Sequence, residues 1–166
     1  MPILDEHTLD FISHSPAQTR RFGVRLGSLL QAGDLVCLEG ELGTGKTCLA
    51  QGIGRGMEIP ESITSPSFTL IAEYRSPAGL TLYHIDLYRL DAAVEEALAF
   101  GLDDYLRADG VSVIEWADRI EPVLPEEWLW ITLRHVDQSK RGILMEARGA
   151  HYDDLIGKFR KSAFGI

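Results

Sequence analysis

The sequence predicts an α/β fold of three layers, with a mixed, mainly parallel sheet and an inserted antiparallel hairpin. Three observations predict it. Short apolar runs fit for buried strands alternate with segments of helical spacing. One such run, Asp34 to Glu39, leads straight into Gly40-Glu41-Leu42-Gly43-Thr44-Gly45-Lys46-Thr47, which has the G-x-x-x-x-G-K-T spacing of a phosphate-binding P-loop. Two strand-like runs, Leu70 to Tyr74 and Leu80 to Asp86, flank the turn Ser76-Pro77-Ala78-Gly79 and read as a hairpin. The expected architecture is the P-loop NTPase fold, in one domain over residues 1–166.

Taken in order, Ser15 reads as the N-cap of a first helix with Pro16 at its first position. Phe22, Leu26, Leu29 and Leu30 fall on one face of that helix, and Gly33 is its expected end. The first strand and the loop follow. Leu49, Ala50 and Ile53 give the helix after the loop an apolar face, and it should stop near Gly54-Arg55-Gly56. Thr64 to Thr69 is rich in hydroxyls around Pro66 and suits a switch loop that senses a γ-phosphate. Asp91 is a good N-cap for a helix over Ala92 to Phe100, and Leu102 to Arg107 is a short further helix. Val111 to Glu115, Leu129 to Val136 and Ile143 to Ala147 are strands, and Tyr152 to Lys161 closes as a helix.

Composition narrows the function. Of the 166 residues, 45% are hydrophobic and 25% charged, which suits a soluble globular domain. The formal net charge of −9 disfavours a chain that grips RNA or DNA by its own surface. No signal peptide and no membrane span are expected. Cys37 and Cys48 form no C-x-x-C pair and read as small buried apolar residues in a reducing compartment.

The loop carries the chemistry. Its glycines allow backbone turns that aim N–H groups at phosphate oxygens, so Glu41, Leu42, Gly43, Thr44, Gly45, Lys46, Thr47 and Cys48 form the expected nucleotide-binding set. Lys46 supplies charge to the β- and γ-phosphates, and the Thr47 hydroxyl suits Mg²⁺. Hydrolysis also needs a carboxylate at the end of a neighbouring strand. Glu115 ends a continuous apolar run, the pattern of a central strand beside the loop, and is the expected metal ligand. Asp86 ends the hairpin strand and is expected to position water or support the metal from behind. GTP is disfavoured, because a guanine-reading N-K-x-D needs Asn and the chain has none.

Four blocks together go further: Gly40 to Thr47, Thr64 to Phe68, His84-Ile85-Asp86-Leu87-Tyr88-Arg89-Leu90, and Val113-Ile114-Glu115-Trp116. In content, order and spacing they resemble the TsaE (YjeE) family, small bacterial P-loop ATPases required for threonylcarbamoyladenosine modification of tRNA. The resemblance implies a cytoplasmic ATP hydrolase that uses ATP and Mg²⁺, weak alone and stronger with partners. The implied partners are TsaD-like and TsaB-like proteins, which hold the tRNA and modify its adenosine 37 while the ATP cycle resets them. By motif, Lys46 and Thr47 bind phosphate and Mg²⁺, Glu115 ligates the metal, Asp86 is catalytic, and Trp116 contacts a partner or buttresses the site. Weaker family features fall near Ser15 and at Arg141. Glu41, Thr44, Cys48 and Ser67 are mild departures from the family pattern. The alternatives are a small-molecule P-loop kinase, although no compact arginine-rich lid is visible, and a scaffold that holds ATP without hydrolysing it.

Overall fold

The structure is a computed structural model that describes residues 3–64, 71–88, 90, 93–107 and 109–166. Its centre is the run Leu35–Glu39 (β3), whose first four residues are buried. On one side β3 pairs in parallel with Val111–Glu115 (β6), buried along its whole length. On the other it pairs in parallel with Trp128–His135 (β7). Continuous apolar runs form here because helices cover both faces of the sheet, so Leu35 to Leu38 and the whole of β6 are kept from water.

The sheet grows outward from this trio. Thr81–Asp86 (β5) runs parallel to β6, and Ile71–Arg75 (β4) folds back on β5 as the expected antiparallel hairpin. Beyond β7 come Arg141–Arg148 (β8), Thr8–Ser13 (β2) and Ile3–Leu4 (β1), each antiparallel to the strand before it. The order is β1-β2-β8-β7-β3-β6-β5-β4. Thus β2, β3, β5, β6 and β7 run one way, and β1, β4 and β8 run the other.

Pro16–Gly27 (α1), Lys46–Gly56 (α2) and Ala150–Phe164 (α5) cover one face. Phe11, Phe22, Phe159 and Phe164 cluster there, with ring centroids such as 4.8 Å between Phe11 and Phe22. Ala93–Ala99 (α3), Leu102–Arg107 (α4) and the 3-10 segment Ala117–Val123 cover the other face, over Cys37, Ile85, Ile114 and Trp130. These are the three layers that the sequence predicts.

The structure corrects several expectations. Ser15 caps α1 as predicted, accepting from the Gln18 N–H, but the helix ends at Gly27 and not at Gly33. The Ser28 hydroxyl donates to the Arg25 carbonyl, and Leu29 and Leu30 bond back three residues in a tighter turn. Strands β1 and β2 have no counterpart in the sequence reading. Helix α5 runs past both of its expected ends. Cys37 is fully buried, but Cys48 is half-buried and its sulfur accepts from Arg20 of α1 at 3.7 Å. Asp91 and Ser65 to Thr69 lie outside the described residues.

Helices α1 and α2 touch backbone to backbone. A Cβ on Gly27 would sit 2.2 Å from the Ile53 carbonyl oxygen, and one on Gly52 would sit 2.1 Å from that of Arg20. Backbone cannot give way as a flexible side chain can. Gly27→Ala is therefore expected to cost about 3 kcal/mol, read as a lower denaturant midpoint. Gly157, on α5, has open space where a Cβ would go. Gly157→Ala should instead add about 0.5–1 kcal/mol through helix propensity.

Candidate active site

The P-loop leaves the end of β3 where the backbone crowds its neighbours. A Cβ on Gly40 would lie 2.6 Å from the Leu133 carbonyl oxygen and 2.7 Å from Thr44 Oγ1, so only glycine fits. Thr44 is buried and ties the loop to itself, its hydroxyl donating to the Glu41 carbonyl at 2.8 Å. Gly45 enters α2 with φ 103°, a left-handed value that glycine adopts freely. It caps α2 without a side-chain acceptor, which leaves the helix's first N–H groups for an anion. Glu41, Leu42 and Gly43 form an exposed rim, and Arg141 Nη2 donates to the Gly43 carbonyl at 3.4 Å.

Lys46 is the first residue of α2, and its side chain is buried against the loop. Its ammonium donates to the carbonyls of Gly40, at 2.6 Å, and Glu41, at 2.8 Å. It also lies 4.3 Å from the centroid of the Trp116 ring. Burial pushes the Lys46 pKa below its ordinary value, and the charges of Glu115, Asp86 and Asp118 oppose that shift.

The two carboxylates singled out in the sequence come together beside it. In the sheet register Leu38 faces Glu115, and Glu115 faces Asp86. Both acids thus stand at the carboxyl ends of adjacent parallel strands, where α/β sheets place their ligands. Glu115 lies on the strand next to β3, as its apolar run predicts, and Asp86 lies one strand further out. The Thr47 hydroxyl donates to Glu115 Oε1 at 3.4 Å. Asp86 accepts the Tyr88 N–H at 3.0 Å. Burial pushes the Asp86 carboxyl above its ordinary pKa. The Tyr88 N–H, His84 and Lys46 pull it down, while the Glu115 charge pushes the same way as burial.

The oxygen donors fit Mg²⁺. A hydroxyl and a carboxylate, both hard ligands, lie 3.4 Å apart next to the loop. Octahedral bonds of about 2.0–2.1 Å put neighbouring ligand oxygens roughly 3 Å apart, so a small adjustment lets Thr47 and Glu115 share one ion.

The structure adds three features: contacts of two residues inside the quoted blocks, His84 and Trp116, and a cleft. His84, inside a quoted block, is fully buried and bonds Glu115 Oε2 through Nε2 at 2.5 Å. Trp116 has φ 63°, a left-handed conformation that costs a bulky residue energy and is typical of functional sites. Its ring stacks on Tyr88, 5.2 Å between centroids, and lies under Arg119 as well as Lys46. Finally, a cleft of about 600 Å³ opens beside the loop, lined by Glu39, Leu42, Trp116, Thr132, Leu133 and His135. No motif marks the end of β7. Only its pairing with β3 brings it there. Of the switch segment the structure describes Thr64, whose N–H points to the Tyr74 hydroxyl at 3.5 Å.

Comparison with known proteins identifies the family. The family model for "Threonylcarbamoyl adenosine biosynthesis protein TsaE" matches residues 13–143. A tRNA threonylcarbamoyladenosine biosynthesis protein TsaE from Treponema pallidum is 43% identical over 132 residues, spanning 80% of this chain and 96% of its own length. The protein of that name from Nostoc is 38% identical over 157 residues, covering 92% and 94% of the two chains. Among solved structures, YdiB of Bacillus subtilis superposes with a TM-score of 0.78 at 32% identity, over 98% of this chain and 97% of its own. The chain belongs to the TsaE family.

Proposed function

We propose that this protein is a Mg²⁺-dependent P-loop ATPase that supports threonylcarbamoyl transfer to adenosine 37 of tRNA by cycling ATP on a complex of TsaD-like and TsaB-like proteins. The observation that carries the proposal is the convergence of Lys46, Thr47, Glu115 and Asp86 at one end of the parallel strands. In this reading the loop N–H groups from Glu41 to Cys48 bind the phosphates, and the Lys46 ammonium turns from the Gly40 and Glu41 carbonyls to the β- and γ-oxygens. Thr47 and Glu115 would hold Mg²⁺, which would supply positive charge against the phosphate oxygens. Asp86, on the strand next to Glu115 and at the same sheet level, orients the attacking water. The cleft beside the loop has room for the nucleoside.

The charge of −9 supports the division of labour, in which the partners hold the tRNA and this subunit supplies the nucleotide cycle. Turnover is then slow alone and faster on the complex, in the cytoplasm. Among the described residues no helix is long and apolar enough to cross a membrane.

The test is an affinity capture from bacterial cytosol followed by an ATPase assay with the captured proteins and, separately, with a metabolite panel. Recovery of TsaD-like and TsaB-like subunits that raise phosphate release is the expected result. Phosphoryl transfer to a metabolite, with no effect of those subunits, would instead mark a small-molecule kinase.

A further inference from the structure

We propose that His84 is a positioning residue that fixes the Glu115 carboxylate in the orientation Mg²⁺ requires. The inference rests on the proposed function, because it assigns Glu115 to the metal. His84 and Asp86 lie two residues apart on β5, so their side chains leave the same face of the sheet. The register sets His84 opposite Val113 and Asp86 opposite Glu115, which brings the imidazole diagonally across to Glu115. The resulting bond is short, 2.5 Å, with His84 fully buried and the Glu115 side chain only 3% exposed.

The two oxygens of Glu115 are thereby divided. Oε2 is held by His84, and Oε1 turns to the Thr47 hydroxyl. A carboxylate oxygen accepts, so the imidazole carries its proton on Nε2. With one oxygen fixed, the carboxylate cannot spin away from the side where Thr47 waits. Carboxylates that ligate metals are commonly held in this way by an outer partner.

The other ring nitrogen argues that this bond is functional. Nδ1 is buried and has no hydrogen-bond partner among the described residues. A buried polar atom without a partner costs stability. The imidazole therefore carries a cost at Nδ1 that its bond to Glu115 has to offset. What the histidine provides is the donor to Glu115 Oε2, an oxygen that any apolar residue here would leave buried without that partner.

The experiment measures binding of the non-hydrolysable analogue AMPPNP by calorimetry, in Mg²⁺ and in EDTA, for the wild type, His84→Leu, His84→Gln and Glu115→Gln. The Mg²⁺-dependent gain in affinity should fall about 10–100-fold in His84→Leu, the usual effect of losing an outer-shell partner. Affinity in EDTA should not fall, and melting curves should show each variant folded at the assay temperature. His84→Gln, whose amide N–H can reach the same oxygen, should recover most of the gain. A long-range ¹H–¹⁵N spectrum of the wild type, which needs no variant to fold, should show the Nε2–H tautomer. An Nδ1–H tautomer would overturn the inference. So would an unchanged Mg²⁺ gain in His84→Leu while Glu115→Gln loses it, and that outcome would leave the ATPase reading intact. AMPPNP affinity in the wild type that ignores Mg²⁺ altogether would overturn both.

Discussion

Lys46→Ala is expected to lower partner-stimulated ATP hydrolysis by about 10²–10³-fold, the loss that follows removal of one preorganised charge from a transition state. Two structural facts make the expected loss large. The ammonium is buried, so water cannot screen or replace it. It also bridges the Gly40 and Glu41 carbonyls, so the loop loses an internal tie along with its charge. The measurement is kcat/KM for ATP with the partner proteins present, with circular dichroism to confirm the fold. Lys46→Arg should rescue little, because a planar guanidinium cannot occupy the pocket of a compact ammonium between two carbonyls and the Trp116 ring. Retention of a tenth or more of wild-type activity in Lys46→Ala would contradict this account of the loop.

Glu115→Gln and Asp86→Asn should both stop turnover, each by about 10²-fold or more, but for different reasons. Glu115→Gln removes the charged ligand from the metal, so the effect of Mg²⁺ on nucleotide binding goes with it. Asp86→Asn should bind Mg²⁺ and nucleotide nearly as the wild type does and lose kcat alone. The two also diverge in stability. Burial raises the Asp86 pKa in the folded protein, so folding favours its neutral form. The stability this gives is present below the unfolded pKa and is lost as pH rises through the folded one. At neutral pH the ionised carboxylate is a cost, and Asp86→Asn should raise the melting temperature while abolishing turnover. Thermal melts at pH 7 beside the kinetics check this. If Asp86→Asn lost the Mg²⁺ effect and Glu115→Gln kept it, the roles assigned to the two acids would be exchanged.

The site was legible where chemistry fixes spacing. Gly40 to Thr47 is one covalent stretch, and the carboxylates stand out at strand ends, Glu115 after an apolar run and Asp86 at the end of the hairpin strand. The apolar continuity of Val111 to Ile114 was enough to put Glu115 on the strand beside β3. What escaped depends on pairing across long sequence distances. Strand β2 pairs with Arg141 to Glu146, far along the chain. Its buried Leu9 and Phe11 do alternate, but Ile12 on the opposite face blurs the period. The end of α1 is hidden in the sequence because Leu29 and Leu30 continue the apolar pattern, although past Gly27 the backbone tightens to three-residue bonds and the Ser28 hydroxyl takes the Arg25 carbonyl. The His84–Glu115 bond spans 31 residues and exists only through the register of β5 on β6. No periodicity in a single strand carries that information.

The central claim is that ATP hydrolysis at this site supports modification of tRNA. The most direct measurement is the threonylcarbamoyladenosine content of tRNA, by mass spectrometry, in a bacterium depleted of its own TsaE and supplied with this chain. Wild-type protein should restore the modification, whereas Lys46→Ala and Glu115→Gln, expressed at equal levels, should not. Full restoration by either variant would contradict the claim and leave the chain a scaffold that works without hydrolysing ATP.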